Sequence, residues 1–229
     1  MGEATSDFLD HRFSPYLAGA VAFVAFAIAL TLQFKQDRYR PWIYWFAVAM
    51  VAVFGTMAAD GLHIELGVPY IASALFYAAV LTIVFIAWYK SEGTLSIHSV
   101  HTPRREVFYW LAVLSTFAMG TALGDLSATT FNLGYFHSGI LFAVIFALPG
   151  LAYWLFRINA IFAFWFAYII TRPLGASFAD WMGVPKNIGG LNFGRGVVSL
   201  GLSMAIILVV TFVAITRKDA QTRDGDTSR

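Results

Sequence analysis

The residues of this chain that are best placed to carry chemistry are aspartates, each preceded at fixed spacing by a glycine and a second small residue. The four are Asp7, Asp60, Asp125 and Asp180, and each lies at or beside the end of a long apolar stretch. Ionisable residues in that setting are costly to bury and commonly mark ion pathways. A ring of carboxylates selects cations by replacing part of their hydration shell, and oxygen ligands suit protons and hard divalent metals. The motif therefore predicts a small-cation transporter or channel.

Each aspartate is preceded, four positions earlier, by a residue that shares its helical face. In the first three copies these residues are Glu3, Thr56 and Thr121. We assign them to the same predicted ion pathway. Arg172 lies deep in a predicted span, where a charged side chain is costly unless it is paired. We therefore expect Arg172 to be the counter-ion of one or more aspartates.

The small residues of the motif favour close helix packing, because two such positions four residues apart let a neighbouring backbone approach. This packing role is assigned to Gly55, Ala59, Gly120, Gly124, Gly175 and Ala179. The same motif also allows a different function. In that alternative the protein is a non-transporting membrane scaffold or accessory protein, and each aspartate caps the following turn by accepting backbone hydrogen bonds.

Signals for other chemistry are weaker. His63 and Glu65 follow the second motif and offer ligands for a transition metal, but the spacing of the histidines does not recur in the other copies. The chain has no cysteine, no metalloprotease or serine-hydrolase motif, and no lysine in its last span for a retinal Schiff base. We therefore expect neither an enzyme nor a resident cofactor.

The elements that must position these side chains are transmembrane helices. The chain of 229 residues is 59% hydrophobic and 12% charged, against about 25% charged residues in soluble domains. Apolar stretches long enough for a bilayer core cover residues 15–34, 42–60, 68–89, 107–124, 135–156, 158–180 and 196–216. The sequence therefore predicts an all-α polytopic bundle of seven spans, forming one transmembrane domain over residues 1–216.

The distribution of basic residues predicts the orientation of this bundle. Most of them, including Lys35, Arg105 and Arg217, lie in loops on one side or in the tail. The positive-inside rule then predicts a multi-pass protein of the bacterial plasma membrane, with its amino terminus outside. The carboxyl terminus is predicted to be cytoplasmic, with residues 217–229 forming a disordered tail.

Partners and surroundings follow from the same composition. The net charge of +2 gives no reason to expect nucleic-acid binding, so the expected partners are the lipid bilayer and a small cation, with a homo-oligomer left open. Several tryptophans fall near the predicted cytoplasmic interface and are expected to form a lipid-facing aromatic belt. They are Trp45, Trp88, Trp110, Trp154 and Trp165.

An internal repeat underlies the motif. Trp45, Trp110 and Trp165 each lie ten residues before a motif glycine, so the repeating unit is a whole two-helix hairpin. The units cover about residues 1–40, 41–92, 106–157 and 158–216. Two spans per unit give every unit the same orientation, which predicts four parallel repeats about a pseudo-axis along the membrane normal. The first unit lacks the tryptophan helix, and we expect eight spans in the full-length protein, with Met1 an internal methionine.

The repeated glycine, threonine and aspartate motif, the Phe108-Tyr109-Trp110 opening and the stretch from Thr171 to Asp180 resemble a known family. This is the bacterial uncharacterised membrane-anchored protein family, built from four tandem copies of domain of unknown function 347. The resemblance implies two transmembrane segments per copy and a membrane location, and it implies no activity. The missing tryptophan helix of the first copy departs from the family pattern.

Overall fold

The computed structural model describes residues 1–216, and its regular elements are helices. The helix bounds are α1 Gly2–Arg12, α2 Pro15–Phe34, α3 Pro41–Asp60, α4 Tyr70–Glu92, α5 Pro103–Asp125, α6 Gly134–Phe156, α7 Ala160–Gly183 and α8 Arg195–Thr216. Helices α2 to α8 are long and apolar enough to cross a membrane, whereas α1 has 11 residues. The predicted seven spans and all-α class are confirmed, and the chain is a multi-pass integral membrane protein. The predicted disordered tail lies outside the described residues.

Helix starts follow local capping signals. The side chains of Ser14, Thr102 and Asn159 accept hydrogen bonds from backbone N–H groups in the first turns of α2, α5 and α7. Such caps satisfy donors that have no partner inside the helix. Pro15 and Pro103 follow two of these caps, at the position where a missing N–H costs nothing.

Two motif helices continue past their aspartates through a wider turn. Residues 61–65 and 126–130 form π-helical turns directly after Asp60 and Asp125, and neither aspartate side chain makes a capping hydrogen bond there. Asp7 and Asp180 lie inside α1 and α7. The aspartates therefore project from the sides of helices, and the predicted turn-capping role is not observed for Asp60 or Asp125.

The motif helices form a ring. Helix α1 contacts α3, α3 contacts α5, α5 contacts α7, and α7 contacts α1. Each return helix packs against the motif helix of the next unit, so that α2 lies on α3, α4 on α5, α6 on α7 and α8 on α1. Because α1 is short, α8 also contacts α3 and α7. This order of contacts agrees with the predicted parallel repeats.

Motif glycines permit the close approach between neighbouring motif helices. At three of these glycines an added Cβ would collide with a residue of the next motif helix, three positions before the glycine of that helix. At Gly55, for example, it would lie 2.7 Å from the Cβ of Phe117. The three contacts are Gly2 on Ala52, Gly55 on Phe117 and Gly120 on Arg172. The same helix-to-helix register thus recurs three times around the ring.

The fourth glycine of the series departs from this register. Gly175 is exposed, and an added Cβ would meet nothing within 4 Å in the described part of the chain. In the register of the other three glycines, the partner of Gly175 would lie three residues before Gly2, and therefore before Met1. The packing role of Gly175 stays a prediction. The other small positions fit the prediction: Ala59 and Ala179 are buried, and a Cβ at Gly124 would lie 3.5 Å from that of Ala176.

Of the five tryptophans assigned to the aromatic belt, three lie inside the bundle at the end opposite the aspartates. Trp88, Trp110 and Trp165 are at most 4% exposed, whereas Trp154 is 77% exposed. Trp165 donates a hydrogen bond to the Leu95 carbonyl at 2.8 Å. The predicted lipid-facing belt is therefore wrong for the three buried residues, which form an aromatic core because the ring brings them together. We call this the tryptophan end, and the other the aspartate end.

Candidate functional site

Equivalent positions of the motif helices meet around the centre of the bundle. Thr56 of α3 and Thr121 of α5 have their hydroxyl oxygens 3.2 Å apart. Tyr44 and Tyr109, three helical turns nearer the tryptophan end, are joined by a hydroxyl-to-hydroxyl hydrogen bond of 2.6 Å. The central face of α3 and α5 therefore carries tyrosine, threonine and aspartate, but Val48, Ala52, Val113 and Phe117 separate the tyrosines from the threonines. We call its threonine and aspartate part the polar face.

Glu3 of α1 is the centre of this polar face. Its Oε2 atom accepts hydrogen bonds from Thr121 at 2.8 Å and from Thr56 at 3.3 Å, and its side chain is buried. The two threonines are also buried. The predicted pathway residues Glu3, Thr56 and Thr121 are thus brought into one hydrogen-bonded group.

Two of the repeat aspartates join Glu3. One carboxylate oxygen from each of Glu3, Asp60 and Asp125 lies within 4.8 Å of the other two. Ser6 donates a hydrogen bond of 3.4 Å to Asp60. Three atoms so close lie within about 2.8 Å (4.8 Å divided by √3) of a common centre, near the 2.3–2.6 Å of calcium–oxygen bonds. We call Glu3, Asp60 and Asp125 the carboxylate cluster.

Electrostatics at Glu3 disfavour its charged form. Burial, followed by Coulomb repulsion from Asp125 and Asp7, raises the pKa of Glu3 to about 8. The hydrogen bonds from Thr121 and Thr56 stabilise the carboxylate and act in the opposite direction. Desolvation is thus the largest effect, and the cluster favours either a proton or another cation beside Glu3.

Asp7 does not join the cluster, which corrects the predicted ring of four aspartates. Its carboxylate is bonded to the Arg195 guanidinium at 2.6 Å, and Arg195 also lies 3.2 Å from the His11 ring. Glu3, one helical turn before Asp7 on α1, points toward the cluster in place of Asp7. Asp180 is buried and makes no ion pair among residues 1–216. No sequence pattern points to Arg195, because its partner is 188 residues away.

Arg172 does not act as the predicted counter-ion in this structure. Its guanidinium carbon lies 3.9 Å from the ring centre of Phe117 and 4.3 Å from that of Tyr168. No carboxylate of the described residues lies within ion-pair distance of it. Cation–π contacts therefore replace the expected ion pairs.

A cavity of about 210 Å³ reaches the buried side of the cluster. Its walls include Glu3, Thr56, Thr121 and Arg172. It lies beside Gly175, where the ring of motif helices has no close contact. Glu3 is therefore the cluster member that faces this cavity, which we call the inner cavity.

The predicted metal ligands His63 and Glu65 make other contacts. His63 has its Nδ1 atom 2.7 Å from the Val68 carbonyl oxygen, and its ring is stacked on Tyr70. Glu65 is exposed and accepts a hydrogen bond from Tyr16 at 3.0 Å. Within residues 1–216 the group with metal-binding geometry is the carboxylate cluster, which contains neither of them.

Comparison with models of protein families identifies a repeat in this chain. The family model described as Repeat of Unknown Function (DUF347) matches three times, over residues 43–94, 108–159 and 163–219. These segments begin near the three tryptophans and cover the second, third and fourth predicted units. Among curated proteins nothing matches. No solved structure matches either.

Proposed function

Because the chain belongs to the family of tandem DUF347 repeats, whose description assigns no activity, we propose a function from the site alone. The protein is a transporter or channel for a small cation, a proton or a hard divalent metal ion. The carboxylate cluster is its binding point, and Thr56 and Thr121 supply neutral oxygens beside it. The reaction is movement of the ion, without covalent chemistry and without a resident cofactor.

The observation that carries this proposal is the convergence of carboxylates with no basic side chain within ion-pair distance among the described residues. The ion pairs within residues 1–216 are Arg104–Glu92, Arg105–Glu92 and Arg195–Asp7. None of them includes a member of the carboxylate cluster or Asp180. Carboxylates held this close together, with Glu3 buried and Asp60 and Asp125 partly buried, favour a bound proton or cation. A bound proton or metal ion supplies the positive charge that no neighbouring basic side chain provides.

The alternative is a non-transporting scaffold, and one observation favours it. The hydrogen bonds of Glu3 with Thr56 and Thr121 tie α1 to α3 and α5, so the same group also fastens helices together. Against this, Asp60 and Asp125 make no capping bonds. A scaffold would function equally well with asparagine at these two positions, because an amide can also accept hydrogen bonds.

The test compares wild-type protein with the Asp60→Asn, Asp125→Asn double variant in sealed lipid vesicles. We expect the double variant to lose cation flux, measured with pH-sensitive and divalent-metal-sensitive dyes, while its thermal unfolding in detergent stays close to that of wild type. Asp37→Asn is the matched control, because Asp37 is an exposed loop acid. Unfolding of the double variant, or wild-type vesicles without flux of any cation, would refute cation transport.

A further inference from the structure

A second cavity, of about 290 Å³, adjoins the cluster from the aspartate end. It lies between α2 and α3, and its walls include Asp60, Asp10, Glu65, Tyr16 and Gly19. Asp60 is thus shared between this cavity and the carboxylate cluster. We call it the side cavity, since it opens between two helices of different units.

The repeat explains why the cleft beside α2 is open. Tyr16, Tyr70 and Tyr135 occupy equivalent positions, and three residues later come Gly19, Ser73 and Ser138. Both serines are fully buried. At Gly19, in contrast, an added Cβ would meet nothing within 4 Å. The first unit therefore has open space where the second and third have a packed side chain.

Charge in the side cavity suits a cation. Three of its wall residues are acidic, and each of the described ion pairs lies elsewhere. Tyr16 donates a hydrogen bond of 3.0 Å to one carboxylate oxygen of Glu65, whose side chain is exposed. Burial, together with the nearby Asp7 and Glu65, raises the pKa of Asp10, while His11 opposes that shift. The charged form of Asp10 is therefore disfavoured by its surroundings, and an approaching cation would offset the repulsion among these carboxylates.

The two cavities meet the cluster from different sides. Asp60 lines the side cavity and Glu3 lines the inner cavity. Their carboxylate oxygens are no more than 4.8 Å apart, which is about two calcium–oxygen bond lengths, so one cation can contact both. The carboxylate cluster therefore lies between the side cavity and the inner cavity and is the short distance that separates them.

We propose that the side cavity is the cation entrance of the aspartate end, leading a hydrated cation laterally between α2 and α3 to Asp60. This inference rests on the proposed cation transport. It adds a route that lies off the pseudo-axis, between the first and second units. It also assigns Asp10 and Glu65 to the attraction of the ion. From Asp60 the ion passes to Glu3.

The chain contains no cysteine, so a single introduced thiol tests this route directly. Gly19→Cys places a thiol in the open space of the side cavity, and Gly150→Cys is the matched control on an exposed helical glycine of α6 whose Cβ would also meet nothing. Both are treated in vesicles with membrane-impermeant thiosulfonates, one cationic and one anionic. We expect Gly19→Cys to react at least three-fold faster with the cationic reagent and then to lose flux.

The control and a charge variant complete the experiment. Gly150→Cys should react slowly with both reagents and keep its flux, since its helical face meets lipid. Adding Asp10→Asn and Glu65→Gln to Gly19→Cys should abolish the preference for the cationic reagent.

The possible failures are distinguishable. An unreactive Gly19→Cys, or one that is fully labelled while flux continues, would overturn the side entrance and leave cation transport standing. Wild-type vesicles that show no flux would overturn cation transport and the route together, whatever the labelling rate.

Discussion

At the scale of single residues, Glu3 decides the chemistry of the site. It is a carboxylate at the position that threonines occupy in the second and third units, and both threonines donate hydrogen bonds to it. Hydrogen bonds to a charged group contribute about 1.5–3 kcal/mol each when they are well formed. These bonds stabilise the charged form, while burial and the neighbouring carboxylates oppose it.

The raised pKa of Glu3 predicts a pH-dependent stability. The pKa rises from 4.5 in the unfolded chain to about 8 in the fold, so the folded protein holds this proton more tightly. That contribution to stability is fully present below about pH 4.5 and is lost as the pH rises to about 8. In Glu3→Gln the contribution is absent. The unfolding temperature in detergent should therefore decrease less between about pH 5 and about pH 8 for the variant than for the wild-type protein.

Asp37→Asn should keep the wild-type pH profile, because this exposed side chain lies in the loop between α2 and α3. An unchanged pH dependence in Glu3→Gln would contradict the assignment of the raised pKa to Glu3.

Residue-level prediction succeeded where a side chain lies on a regular helical face. Thr56 and Thr121 share a face with their aspartates in sequence, and the fold brings both to Glu3. Arg172 was predicted to pair with an aspartate, and this partner was wrong, because a guanidinium can be stabilised by two aromatic rings as well as by a carboxylate. Local spacing identifies the face of a helix, whereas the neighbour across that face depends on the whole fold.

At the scale of helices, the motif glycines set how closely the ring closes. Gly120 lies on the backbone of Arg172, whereas Gly175 faces open space. Two residues with the same place in the repeat therefore have different packing. Sequence alone assigned both to packing, because the repeat gives the two glycines the same local surroundings. The repeat does not show which residue packs against each glycine.

Alanine at these two glycines should have opposite effects. In Gly120→Ala the methyl group collides with Arg172, including its backbone, and overpacking of this kind costs about 1–3 kcal/mol. In Gly175→Ala the methyl group enters open space, and alanine is the better helix former by about 1 kcal/mol. Thermal unfolding should show a clear loss for the first variant and no loss for the second. Equal losses would contradict the helix register described here.

At the scale of the whole molecule, α8 packs on α1 beside the α7–α1 contact that closes the ring. Arg195, at the start of α8, is bonded to Asp7 of α1, and both side chains are partly exposed. Exposed ion pairs contribute about 1 kcal/mol or less. The order of the helices around the ring follows from the repeat, but this closing bond depends on the loop of residues 184–194, whose fold the sequence did not predict.

Breaking this ion pair should loosen the closure without removing the cation site. Arg195→Gln and Asp7→Asn should each lower the unfolding temperature slightly, and the double variant should lose less than the sum of the two because both remove the same bond. Cation flux should persist in all three. Additive losses of stability would show that Arg195 and Asp7 act separately, and abolished flux would place Asp7 in the pathway.

The single Arg172 among equivalent positions has a consequence for how such a ring can be assembled. Its counterparts in the second and third units are Ala52 and Phe117. In a ring of four identical subunits, every substitution would be copied four times, and four guanidinium groups would face one another around the axis. Joining the units in one polypeptide removes that constraint, so each quarter of the ring can diverge separately and one positive charge can be introduced alone.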